Sequence, residues 1–171
     1  YEELFKNINI DFKKNVYLPD GLTKDPIKFC NYYESKINSL GGIDLQILGI
    51  GKTGHLAFNE PVSSLASRTR LQPLTKQTIN DNYNKFYKKS GIEKENMPKY
   101  AITMGVGTII ESKHALLIDN GKEKAKIISK ALEGPITSEI TATALQMHPG
   151  KVTVILDKDA SSNLTWSLDY L

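Results

Sequence analysis

Apolar and polar positions along this chain alternate between a helical and an extended period. From Ile43 to Ile50 an apolar run rich in isoleucine and leucine reads as a buried strand of a parallel sheet. Ahead of it, Ile27, Cys30, Tyr33, Ile37 and Leu40 recur at helical spacing. Asp25 and Pro26 supply the N-cap and first-turn proline of that helix, and Gly41-Gly42 ends it. Tyr100–Met104, Ala115–Ile118 and Val152–Leu156 predict three more strands, neighbouring the first and mostly parallel to it. The intervening segments predict helices from Thr75 to about Lys88, from Lys122 to Leu132 and from Thr141 to Met147. A short helix capped by Thr108 is expected after Gly105 and Gly107.

Arg68 to Leu74 reads as an extended edge, Ser90 to Pro98 as a loop, and Asn15 to Leu18 as a short strand stopped by the turn Pro19-Asp20-Gly21. Both ends read as helix, Tyr1 to Lys6 and Asp159 to about Tyr170. Strands alternating with helices, without repeats or a linker, predict one α/β domain built on a largely parallel sheet.

The strand at Ile43–Ile50 breaks on Gly49 and Gly51 and delivers a polar knot of Lys52, Thr53, His55, Asn59 and Glu60. Ligands of open α/β sheets bind outside the carboxyl ends of the strands, so this knot is the site candidate. Two nucleotide motifs are excluded. Gly51-Lys52-Thr53 lacks the earlier glycine of a phosphate loop, because Gln46 stands there. The Gly49, Gly51, Gly54 spacing matches a dinucleotide fingerprint, but Pro61 forbids the long helix that should follow, and no acid falls between Glu60 and Asp81. Histidine titrates near neutrality and suits acid–base work, and a carboxylate such as Glu60 can orient it. On spacing alone, His55 would instead be expected to cap a helix that follows it.

The string Gly51-x-x-Gly54-His55-x-x-Phe58-Asn59-Glu60-Pro61 continues into Ser63-Ser64 and Ser67-Arg68-Thr69-Arg70. With Pro98–Thr108, Leu132-Glu133-Gly134 and Leu145–Pro149, it resembles the glucosamine-6-phosphate deaminases, also called isomerases, over essentially the whole chain. The resemblance implies a Rossmann-like fold of the deaminase/ribose-5-phosphate isomerase type, an open sheet with helices on both faces. It implies conversion of glucosamine 6-phosphate and water to fructose 6-phosphate and ammonia, with no metal or redox cofactor. Catalytic roles fall on His55, which opens the sugar ring, on Glu60, and on Thr53, which stands where the family usually has aspartate. Gly51, Lys124 and Lys85 fall on substrate-binding positions, the last two toward phosphate. Ser63 and Arg70 match positions of an allosteric site in regulated members, where the accompanying lysine is replaced by Gln72.

The resemblance also implies that Tyr1 falls about a third of the way into a typical member. The chain is therefore expected to be a fragment, truncated before the phosphate loop and the proton-shuttling aspartate. A 6-phosphogluconolactonase-like hydrolase is the nearest alternative, although its Gly-His turn usually lacks the Phe58–Pro61 string. A non-catalytic sugar-phosphate-binding module is another, suggested by Thr53.

Composition narrows the partners. The 171 residues carry a net charge of +3, too dispersed to argue for nucleic acid. No apolar run reaches the roughly 20 residues of a membrane span. One cysteine cannot form an internal disulfide and suits a reducing compartment, so a cytoplasmic location is expected. The expected partner is a small sugar phosphate, with a homo-oligomer left open.

Overall fold

The computed structural model describes residues 5–165. Asp11 caps a single turn, α1 (Phe12–Asn15), and Asp25 caps α2 (Pro26–Ser39) by accepting from the Lys28 amide. The main strand shortens to β1 (Gln46–Leu48). After the motif loop come β2 (Arg70–Pro73), α3 (Lys76–Asn82), β3 (Tyr100–Thr103) and α4 (Val106–Ile110). The chain continues through β4 (His114–Asp119), α5 (Ala125–Glu133), a 3-10 helix at Thr141–Met147 and β5 (Lys151–Leu156).

Three strands form a parallel sheet in the order β1-β4-β5, with Leu48 beside Leu117 and Leu117 beside Val154. That register turns Leu48, Ala115 and Leu117 to one face, where they meet Ile128 and Ala131 of α5 and Ala142 and Leu145 of the 3-10 helix. This one layer is the core. The opposite face stays open to water at Ile47 (62% exposed), Ile118 (46%) and Ile155 (52%).

The strand at Tyr100–Met104 was expected in this sheet and is not there. It pairs antiparallel with β2 in a separate two-stranded sheet, Arg70 beside Thr103 and Pro73 beside Tyr100. The segment between them folds back on itself, closed by the Leu74 amide donating to the Lys99 carbonyl at 2.8 Å. A returning connection of that kind brings strands together antiparallel.

Three smaller expectations are also corrected. Asn15–Leu18 is no strand: Asn15 ends α1, and the described residues offer Val16–Leu18 no ladder partner. Gly105, not Thr108, is the N-cap of α4; Thr108 lies inside the helix and its hydroxyl donates to Glu34 Oε1 at 2.7 Å. The same carboxylate oxygen accepts from the amide of Thr69 at 2.8 Å and from its hydroxyl, so Glu34 ties α2 to α4 and to the bend that enters β2. Asp159–Asn163 forms turns rather than the start of a helix, and residues 166–171 lie outside the described residues. At the other end Phe5–Asn7 is a 3-10 turn, with residues 1–4 outside.

Candidate active site

Between β1 and β2 the chain makes no helix at all, which removes the helix-capping role considered for His55. The loop is held by its own backbone and by buried polar side chains. The Gly51 amide donates to the His55 carbonyl at 2.9 Å, and the Gly54 amide to the Gly51 carbonyl at 2.9 Å. Gly54 has φ +81, and Ile140 and Ile127 leave no space for a side chain there. A Cβ at Gly51 would collide with Nε2 of His55, so glycine at 51 is what lets the imidazole lie against the end of β1.

Two residues without glycine's freedom also take left-handed backbone, Ala57 at φ 51 and Val62 at φ 71. Such conformations cost on the order of 1–3 kcal/mol each and persist only where the surroundings hold them. Asn59 and Thr141, both fully buried, hold the backbone around Ala57, and the Val62 amide donates to the Ser138 carbonyl at 2.9 Å. Asn59 Nδ2 donates to the carbonyls of Leu56 and Met104, each at 2.9 Å. Thr141 accepts from the Leu56 amide at 3.1 Å and donates to the Asn59 carbonyl at 3.2 Å.

His55 Nδ1 lies 2.9 Å from the Thr53 hydroxyl and 3.7 Å from Glu60 Oε2. Glu60 is held from its other oxygen: Oε1 accepts from the Thr75 amide at 3.1 Å and the Thr75 hydroxyl at 3.2 Å. Its Oε2 is buried and accepts no hydrogen bond among the described residues. A proton on Nδ1 would face both oxygens, the arrangement that orients an acid–base histidine. Burial pushes the His55 imidazole below its ordinary value; Glu60 opposes this, Lys124 adds to it and Asp81 opposes it. The unfolded histidine titrates at about 6.5, so below that pH the unfolded chain binds more protons. Stability from this group is therefore lost as pH falls from about 6.5 through the folded value.

Lys124 reaches the same strand edge. Its Nζ donates to the Ile50 carbonyl and pairs with Asp119 Oδ2 at 3.3 Å. Lys85 stands apart on an exposed π-helical turn that follows α3, its charge felt at Asp81. Arg70 turns inward, donating to Asn59 Oδ1 at 2.7 Å and to Ser63 Oγ at 3.0 Å. Ser63 and Arg70, which the resemblance matched to an allosteric site, thus hydrogen-bond each other within the motif loop's own network. Phe58 lines a cavity of about 370 Å³ with Leu74, Met97 and Tyr100, and His55 is not among its lining residues.

The family model described as glucosamine-6-phosphate isomerases/6-phosphogluconolactonase matches residues 1–155. The chain belongs to that family. It is 48% identical over 164 residues to a glucosamine-6-phosphate deaminase of Shewanella halifaxensis, covering 96% of this chain and 60% of the relative. To a deaminase of Thermoanaerobacter pseudethanolicus it is 44% identical over 162 residues, covering 95% and 61%. Among solved structures, a monomeric glucosamine-6-phosphate deaminase superposes with TM-score 0.78 at 40% identity, over 86% of this chain and 58% of the other. The chain thus spans about 60% of the length of the curated relatives it matches.

Two residues outside the motif also build the site. Thr75, at the start of the helix expected from Thr75 to about Lys88, caps α3 and also holds Glu60. Asp119 is not legible from its neighbourhood beyond being the one acid of β4, at its carboxyl end.

Thr53 is open to a direct test. Replacing it with aspartate, the usual family residue, puts a negative charge beside Nδ1. The midpoint of the His55 ring resonances followed by NMR should move to higher pH in Thr53→Asp. An unchanged midpoint would take position 53 out of contact with the imidazole.

Proposed function

We propose that this chain carries the ring-opening and phosphate-contacting part of an aminosugar-phosphate deaminase, which converts glucosamine 6-phosphate and water to fructose 6-phosphate and ammonia. The observation that carries the reading is the meeting of Thr53, His55, Glu60 and Lys124 at one strand edge. The names borne by relatives at 48% and 44% identity support it.

In this reading neutral His55 takes the proton of the anomeric hydroxyl and returns one to the ring oxygen. Glu60 and Thr53 orient the ring and stabilise the imidazolium. Lys124 supplies charge to the phosphate, and Lys85 adds to the approach of the anion. The steps are proton transfers, addition of water at C2 and departure of the C2 nitrogen as ammonia, which call for acid–base side chains of these types. The 171 residues form one α/β unit of a larger domain. The reading places that unit in a reducing compartment such as the cytoplasm, where the unpaired Cys30 is at home.

Moving a proton from C2 to C1 needs a base over the substrate, and the family pattern assigns that base to a segment before Tyr1. The chain alone is therefore expected to release no ammonia from glucosamine 6-phosphate. Joined to the corresponding upstream segment of a relative, it should do so. Turnover by the chain alone, at a rate near that of the joined protein, would place the base within residues 1–171 and overturn the assignment. Hydrolysis of 6-phosphogluconolactone by the joined protein, without ammonia release, would favour the lactonase branch of the family.

A further inference from the structure

Asp119 has no part in the chemistry above, yet it is the most completely engaged carboxylate at the site. Its Oδ2 accepts from the Ile50 amide at 3.1 Å and pairs with Lys124 Nζ at 3.3 Å. Its Oδ1 accepts from the Asn120 amide at 2.9 Å. Both side chains of the pair are only 13% exposed. Lys124 completes the ring by donating to the carbonyl of Ile50, the residue whose amide Asp119 holds. The loop carrying the lysine is fixed independently, since Asp157 accepts from the Gly121 amide at 3.2 Å and from the Ala160 amide at 2.7 Å.

A carboxylate held this way has two effects on an incoming anion. It cancels the charge of Lys124, and it repels the phosphate oxygens that approach that lysine. It also fixes an ammonium group that would otherwise be free to swing.

We propose that Asp119 is a positioning residue that parks Lys124 on the Ile50 carbonyl, so that a sugar phosphate engages the lysine only in competition with this carboxylate. Asp119 therefore sets how tightly the site takes phosphate, and the end of β4 is a specificity determinant as well as a structural edge. The proposal rests on the phosphate role given to Lys124.

Asp119→Asn keeps the shape and removes the charge. Acetylation of Lys124 by acetic anhydride, followed by peptide mass spectrometry at fixed pH, reads the clamp without any turnover. Lys124 should react faster in the variant by on the order of threefold or more, while Lys113 keeps its rate. Inorganic phosphate, titrated as a probe against Lys124 acetylation, should protect the variant at a several-fold lower concentration than the native chain. Equal Lys124 reactivity in the two proteins would overturn the clamp. Equal protection, or protection of neither, would overturn the competition. Asp119→Ser leaves a short acceptor for the Ile50 amide and repeats the test if the asparagine variant does not fold. Collapse of both would place the contribution of Asp119 in the fold and overturn the positioning role. Ammonia release enters none of these outcomes, so failure of the deaminase reading is seen separately.

Discussion

Replacing His55 with glutamine, in the chain joined to the upstream segment of a relative, is expected to lower ammonia release by roughly 10²–10⁴-fold, the usual scale for a general acid–base group. In the proposed reading the imidazole moves protons and Lys124 carries the attraction for phosphate, so the loss should fall on kcat. Glutamine fills similar space and can still hydrogen-bond Thr53, so the melting temperature should hardly move. Two outcomes separate the possibilities. Kinetics like those of the native protein would make His55 a packing residue lying against Gly51. A large fall in both stability and rate would mean that the loop, rather than the proton transfer, was damaged.

The largest stability effect is expected at Asn59. Truncation to alanine removes one of two donors from each of the Leu56 and Met104 carbonyls and leaves the half-buried Arg70 guanidinium without one of its two acceptors. Each hydrogen bond removed costs roughly 0.5–1.5 kcal/mol, and the one to the charged guanidinium about 1.5–3, so a net loss of about 2–4 kcal/mol is expected. For a chain of this length that lowers the melting temperature by roughly 5–15 °C. Asn59 also secures the loop between Ala57 and Val62, so the variant should lose protection there first. A change below about 0.5 kcal/mol, read from denaturant midpoints, would show that the loop is held from elsewhere.

How far the sequence foretold this molecule depends on how local each feature is. The polar knot was legible because its chemistry lies within ten residues of chain, framed by glycines after an apolar strand. The convergence of His55 and Lys124 was legible only through the family resemblance, which put both on substrate positions; the strand-end rule pointed to the His55 knot alone. Strand pairing was not. Tyr100–Thr103 has the composition of any strand, and nothing within it records that Arg70–Pro73 is its partner. The capping of α4 failed for a related reason: Thr108 has the chemistry of a cap, but Glu34 on a distant helix claims its hydroxyl. Asp119 was invisible as a functional residue because its meaning depends on Ile50, 69 positions away. The departure at Thr53 was visible through the resemblance, which expects a charge there, and the structure shows a hydroxyl 2.9 Å from Nδ1.

The outward face of the parallel sheet has a thermal consequence. Ile47, Ile118 and Ile155 keep about half of their surface in water after folding, so unfolding newly exposes only the other half. Newly exposed apolar surface raises the heat capacity by about 0.45 cal/K/mol for each Å². Side chains already half in solvent add correspondingly less to that change than buried ones. The stability of this chain therefore varies more gently with temperature than it would if a second layer covered that face. Covering it would deepen the curvature as well as raise the maximum.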